Sequence, residues 1–191
     1  MSESSITISV FTENHPGLLH RVTSVFTRRN INIESLTVSP SEVPGLHRFT
    51  IVVNIPLDQA NRIALQIEKQ IDVLKAFVHE QHEVVHRDLA LYKMAASAWE
   101  SDAFRELLFV HDVQVLEQQP DYTVLEKTGS QADTTALLAL LEPFGVLEFV
   151  RSGNVALTRP MRTLSEFIAD IEALQKLAGQ SPLIETPPIQ E

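Results

Sequence analysis

The residue types best suited to chemistry in this chain gather near its start. They are Glu13-Asn14-His15-Pro16-Gly17-Leu18-Leu19 and, one predicted helix later, Asn32-Ile33-Glu34-Ser35-Leu36. Asn14 and Asn32 each carry a neutral carboxamide, whose oxygen can accept from an ammonium group. Pro16-Gly17 marks a turn, and a helix starting there leaves backbone N–H groups that favour a carboxylate. The combination suits a small zwitterion that is held rather than transformed. On the residues alone two readings stand side by side: such a site, or a plain turn that starts a helix, with Asn32 tolerating an irregular strand start.

Other constellations carry less. Glu13 and Glu34 could form an acid and base pair, but no nucleophile or positioned histidine accompanies them, so local polar roles are expected. His79, His82 and His86 have metal-binding spacings for a helix. They straddle a predicted strand end and linker, where those spacings do not share a face, so a solvated linker without metal is expected. Ser152-Gly153 reads as a strand bulge in preference to a phosphate turn. Arg28-Arg29 reads as a solvated helix end. Trp99, the single tryptophan, reads as core, with a domain contact as the alternative.

Composition narrows the classes further. The chain has 191 residues, 44% hydrophobic and 21% charged, enough for one large domain or two small ones. A net charge of −10 disfavours nucleic-acid backbones. The absence of cysteine removes disulfides, thiolate nucleophiles and zinc-thiolate sites together. No segment approaches the roughly 20 apolar residues of a membrane helix. Met1 to Ser5 has neither a basic region nor an apolar run, so no signal peptide is expected and the compartment read is cytoplasmic.

The elements that must position these residues follow a βαββαβ order. Ile6 to Thr12 alternates as a half-buried strand. A helix runs from Leu18 to Arg29, a strand from Ile31 to Ser39, and another from His47 to Ile55. Pro56 starts a second helix with Ile63, Ile67 and Ile71 on one face, and Val73 to Glu80 is the fourth strand. The order repeats with Asp88–Ala95, Ser101–Val110, Val113–Gln118, Tyr122–Lys127, Ala132–Leu141, Val146–Val150 and Val155–Leu157, after a boundary near Gln81 to His86. The predicted class is α+β: two tandem ferredoxin-like βαββαβ domains, residues 5–80 and 87–160, plus a C-terminal helix and flexible tail over 161–191. In that helix Thr163-Leu164-Ser165-Glu166 has capping-box spacing, and Leu164, Phe167, Ile168, Ile171, Leu174 and Ala178 line one face. Packing on the second domain is the preferred reading for it, with a dimer mate or another protein as alternatives.

Four segments resemble the small regulatory subunit of acetohydroxyacid synthase (acetolactate synthase). They are Glu13-Asn14-His15-Pro16-Gly17-Leu18-Leu19-His20-Arg21-Val22, Asn32-Ile33-Glu34-Ser35-Leu36-Thr37-Val38, Arg87-Asp88-Leu89-Ala90-Leu91-Tyr92-Lys93 and Arg151-Ser152-Gly153, spread over residues 6–160. The resemblance implies that residues 5–80 are an ACT domain, which binds amino acids between two copies in a homodimer. It implies that the loop and helix start of one subunit face the strand start of the other. N–H groups near Gly17, Leu18 and Leu19 would then hold a carboxylate, Asn14 and Asn32 would orient the polar head, and Ile33 would admit a branched aliphatic side chain.

The implied function is non-catalytic. The chain would activate a catalytic large subunit and mediate feedback inhibition by valine, leucine or isoleucine in branched-chain amino-acid biosynthesis. No cofactor is expected on this chain; thiamine diphosphate, FAD and magnesium would sit on the catalytic partner. The chain departs from the pattern at Asn30-Ile31, where the family often has Gly-Tyr, at the linker Glu80 to Glu83, and in the helix after Arg162. The runner-up is a free-standing ACT-domain sensor regulating another enzyme or a transcription factor. The segments Arg87 to Lys93 and Asn32 to Leu36 favour the first reading. A small enzyme using the histidines is the least favoured.

Overall fold

The computed structural model describes residues 4–159 together with Glu166, Ile168 and Ala169. The chain divides into two units, residues 1–84 with 158–191, and residues 85–157. In the first unit the strands are β1 (Ser4–Glu13), β2 (Ser35–Pro40), β3 (Leu46–Ile55) and β4 (Val73–Glu80). The helices are α1 (Leu18–Thr27) and α2 (Leu57–Ile67). The strands form one antiparallel sheet in the order β2-β3-β1-β4.

Strand alternation decides which face is dry. Ile6, Ile8 and Val10 of β1 and Ile51 and Val53 of β3 turn to one side, where they meet Val22 and Phe26 of α1 and Ile63 and Ile67 of α2 in a single core. Each such side chain contributes about 1.5–3 kcal/mol when fully buried. The opposite face carries Thr7, Ser9, Arg48, Thr50, Phe77 and His79.

Several expected boundaries move. The strand expected over Ile31 to Ser39 begins only at Ser35. Leaving α1, the chain turns through Asn30 at φ 53°, while Ile31 N donates back to the Phe26 carbonyl at 3.1 Å. This is a left-handed helix terminus, which glycine adopts most readily and asparagine next. It accounts for Asn30 where the resembled family often has glycine. Pairing with β3 starts when Glu34 N reaches the Val52 carbonyl at 2.9 Å. Ile71 does not share the face of Ile63 and Ile67: α2 ends at Ile67, and Ile71 is 75% exposed. The turn into β4 follows at Asp72, φ 70°.

The second unit repeats the plan with β5 (Val84–Ala95, its first residue in the first unit), β6 (Gln114–Gln118), β7 (Tyr122–Gly129), β8 (Val146–Arg151) and β9 (Val155–Thr158). Its helices are α3 (Asp102–Val110) and α4 (Gln131–Leu141). The sheet order is β6-β7-β5-β8, with β9 also on β5. Set against β2-β3-β1-β4, this is the same ferredoxin-like arrangement twice. Ser101 caps α3, and Ser130 and Asp133 form a capping box on α4.

Fully buried Tyr92 donates to the Thr134 carbonyl at 2.8 Å, tying β5 to α4. Trp99 packs edge-on to Phe104 in this core and donates to Thr123 Oγ1 at 2.6 Å. Ser152 ends β8 by bonding twice to Leu89, through its N–H and its hydroxyl oxygen. No helix among the described residues is long and apolar enough to cross a membrane.

The helix expected over Thr163 to Leu177 lies outside the described residues except at three positions, as does the tail after Gln180. Glu166, Ile168 and Ala169 are helical there. Ile168 is buried with Phe11 and Leu46, so it packs in the first unit and not on the second domain. The reason is an apolar patch on the helix-free side of the first sheet.

Candidate ligand-binding site

β1 ends at Glu13, and the chain crosses to α1 through Asn14, His15, Pro16 and Gly17. Gly17 precedes the helix at φ 83°, a left-handed conformation that costs glycine little. A Cβ built there meets nothing within 4 Å, so the space in front of the loop is open. Leu18 N donates to the His15 carbonyl over a long 3.4 Å, and the regular ladder starts with Arg21 N to the Gly17 carbonyl at 3.1 Å. Among the described residues, the N–H groups of Gly17, Leu19 and His20 are left without an acceptor. These are the unpaired donors of a helix start, and they suit an anion. Asn14 and Leu19 are exposed, while Leu18 is buried in the core.

A charged clamp behind the loop holds this shape. Asp72 accepts from Arg21 Nη2 at 2.7 Å. Its backbone carbonyl accepts from Glu13 N at 3.0 Å. His15 Nδ1 lies 3.4 Å from Asp72 Oδ2 and 3.6 Å from Glu13 Oε2. The Arg21 hydrogen bond, helped by His15, holds the Asp72 carboxyl below the usual carboxylate range against a smaller opposing effect of burial. Glu13, His15 and Asp72 also bring three donor atoms within 4.8 Å of one another. Arg21 already places its cation on Asp72, so the group is satisfied as an ion-pair cluster and a metal there would meet a positive neighbour. Neither Asp72 nor Arg21 stands out in the sequence, because their pairing spans 51 positions.

The other half of the expected site lies elsewhere. Asn32 is exposed and donates to Glu34 Oε1 at 2.9 Å, and Ile33 is half-buried against the first core. The register places Glu13 opposite Leu46, but Ser35 opposite Val52, six residues further along β3. At about 3.4 Å per residue the two halves sit about 20 Å apart, at opposite ends of one sheet. The structure therefore gathers Asn14, Gly17, Leu18 and Leu19 at one end and Asn32 and Ile33 at the other. β2, which follows Asn32, is an edge strand of the sheet.

The three histidines do not converge. His79 is not solvated as expected: it is 3% exposed on the helix-free face, stacked on Phe77, with Nε2 lacking a partner. Burial pushes its pKa down, with Glu83 raising it and Arg48 lowering it to lesser extents. His82 is exposed in the turn after β4, and His86 is half-buried on β5.

Two ferredoxin-like units in tandem, the first carrying an ACT-type loop, define an α+β class of ACT-like proteins. Comparison with known proteins specifies the family. A family model described as an AHAS small subunit-like ACT domain matches residues 8–75. A second, described as the small subunit of acetolactate synthase, matches residues 87–160. The acetolactate synthase small subunit of Mycobacterium bovis is 38% identical over 162 residues, covering 85% of this chain and 96% of that one. The Bacillus subtilis protein of the same name is 34% identical over 155 residues, covering 81% and 89%. The crystal structure of the Thermotoga maritima small subunit superposes with a TM-score of 0.75 at 28% identity, covering 83% of this chain and 99% of that one. The chain belongs to the acetolactate synthase small-subunit family. Membership makes it a regulatory subunit that works with a separate catalytic subunit.

Proposed function

We propose that this subunit binds a free branched-chain amino acid (valine, leucine or isoleucine) between two copies of its ACT domain, and so sets the activity of acetolactate synthase. The observation that carries the reading is the split site. One sheet end offers the Gly17 loop with unpaired N–H groups, and the other offers Asn32 and Ile33. The edge strand β2 supplies a way to join them. Antiparallel pairing of β2 with the same strand of a second copy places the Asn32 end of one chain beside the Pro40 end of the other. That is the end at which β1 gives way to the Gly17 loop.

In the joined site the N–H groups of Gly17 and Leu19 hold the carboxylate. Asn14 and Asn32 orient the polar head. Ile33 lines the aliphatic pocket, and Leu18 anchors the helix start beneath. One methylene is worth about 1–3 kcal/mol in such a pocket, so the three amino acids are separated weakly. The ligand acts only insofar as it binds two arrangements of the dimer with different affinity. The catalytic subunit, activated by this chain and inhibited through the amino acid, carries thiamine diphosphate, FAD and magnesium in this reading. The cytoplasm is the compartment that goes with it.

Calorimetric titration with valine, leucine and isoleucine, beside an activity assay on the reconstituted holoenzyme, tests the reading. Saturable binding near one ligand per chain, with inhibition over the same concentrations, is expected. Absence of heat with all three amino acids, or a protein that stays monomeric, overturns it.

A further inference from the structure

The two sheets of this chain share one plan but differ on the side away from their helices. In the first sheet Ser9, Thr50 and His79 are buried there. In the second that side is open to solvent and concave. Ala90, Tyr92 and Met94 of β5 and Leu125 of β7 belong to the core. Strand alternation therefore sends Leu91 and Lys93 of β5 and Tyr122 and Val124 of β7 to the other face. With Glu117 of β6 and with Glu148 and Val150 of β8 they line a groove of about 300 Å³. Val150 is 56% exposed, and Glu117 and Glu148 are exposed at the rim.

The register sets the charges in a row. Glu117 lies opposite Val124, Val124 opposite Lys93, and Lys93 opposite Glu148. Facing strand positions bring Cβ atoms to about 5 Å, so Lys93 and Glu148 have the reach to pair directly. They do not. The Lys93 ammonium rests 4.6 Å from the centroid of the Tyr122 ring and makes no ion pair among the described residues. Tyr122 is fixed in turn by donating to Glu117 Oε1 at 3.1 Å. Glu117 is thereby engaged. The groove is left with one ammonium and one carboxylate, Lys93 and Glu148, side by side and not joined. Two positions along the same strands, about 7 Å away, Leu91 faces Val150 and the surface is apolar.

We propose that this groove binds a free α-amino acid with an aliphatic side chain, at a site of the second unit that does not depend on the Gly17 loop. The ligand carboxylate meets Lys93 Nζ, its ammonium meets the Glu148 carboxylate, and its side chain lies over Leu91, Val124 and Val150. Charge selects the class. A phosphate or a dicarboxylate would set two negative charges against Glu117 and Glu148. A plain aliphatic carboxylate would match Lys93 and face Glu148 with like charge, and an aliphatic amine would do the reverse. The zwitterion alone matches both groups and leaves its apolar part for the far end. An open groove and so few ligand atoms set a weak affinity, about 1 mM.

Methyl-resolved NMR of the full chain, titrated with leucine, tests this. Saturable shifts of the Leu91, Val124 and Val150 methyls with a midpoint of about 1 mM are expected. Two analogues probe the charges on the unaltered chain. Isocaproate lacks the ammonium and isoamylamine lacks the carboxylate, and each is expected to bind about ten-fold more weakly. Lys93→Gln is expected to weaken leucine by about the same factor. Methyls that stay unmoved at about ten times the expected midpoint overturn the proposal. So does either analogue binding as well as leucine, or leucine binding unchanged in Lys93→Gln. Methyl shifts that follow protein concentration without ligand also overturn it, because they assign the face to a second copy. The Leu18 and Leu19 methyls report the Gly17 loop in the same spectra, so failure of one site is read apart from failure of the other.

Discussion

Replacing Gly17 by aspartate separates two effects that the loop geometry keeps distinct. The first is backbone strain. Gly17 sits at φ 83°, and a side chain in that conformation costs about 1 kcal/mol, less for aspartate than for most residues. Nothing lies within 4 Å of the new Cβ, so no packing penalty adds to this. A fall in Tm of a few degrees is expected. The second effect is charge. A new carboxylate about 4 Å from the carboxylate of a bound amino acid costs about 4 kcal/mol at an effective dielectric constant of about 20. That is about a thousand-fold in Kd. Gly17→Ala carries the strain without the charge, so it is expected to lose similar stability and little affinity. The assay is calorimetric titration of both variants with valine, beside thermal melts and an activity assay with the catalytic subunit. Gly17→Asp is expected to abolish feedback while still activating the partner. Valine affinity unchanged in Gly17→Asp, or lowered equally in both variants, refutes the placement of the carboxylate at this loop.

Asn30→Gly should raise stability by about 0.5–1 kcal/mol, read from the denaturant midpoint, because Asn30 holds a left-handed φ that glycine takes more readily. Tyr92→Phe should cost about 1–1.5 kcal/mol through the lost bond to the Thr134 carbonyl. In the unaltered chain burial pushes the Tyr92 phenol up to about 12. Its folded pKa lies above the unfolded value near 10, so this stabilising contribution is complete below pH 10 and is lost as pH rises towards 12; an ultraviolet titration coupled to unfolding checks it. His79 has a folded pKa below the ordinary 6.5, set first by burial, with Glu83 and Arg48 pulling in opposite directions. A buried neutral histidine binds fewer protons folded than unfolded, so its contribution is complete above pH 6.5 and falls away as pH drops through the lower folded value. His79→Gln should flatten that acid slope, and an unchanged slope in urea melts from pH 7 to 5 would count against it.

Local patterns in the sequence made much of this molecule legible, and long-range pairings did not. Val73–Glu80 and the strand around Ile6 to Val10 were readable because alternation alone decides which side is buried. Pro16-Gly17 announced the loop because few other residues suit a turn followed by a helix start. The position of Asn32 relative to Asn14 was not readable, because it depends on strand register and not on composition. Arg21 and Asp72 form the clamp behind the loop from positions 51 residues apart, and a lone aspartate in a turn gives no hint of that partner. His79 misled for a related reason. Its strand alternates correctly, but which face is wet depends on what covers the sheet, and the described part of that cover is Ile168.

The distance between the two halves of the proposed ligand site has a genetic consequence. If each pocket takes its loop from one chain and its strand start from another, a symmetric pair of chains holds two pockets and no chain owns either. An allele defective at Gly17 and an allele defective at Asn32, expressed in one cell, would then compensate for each other. In every mixed pair one pocket would collect both lesions and the other would be whole.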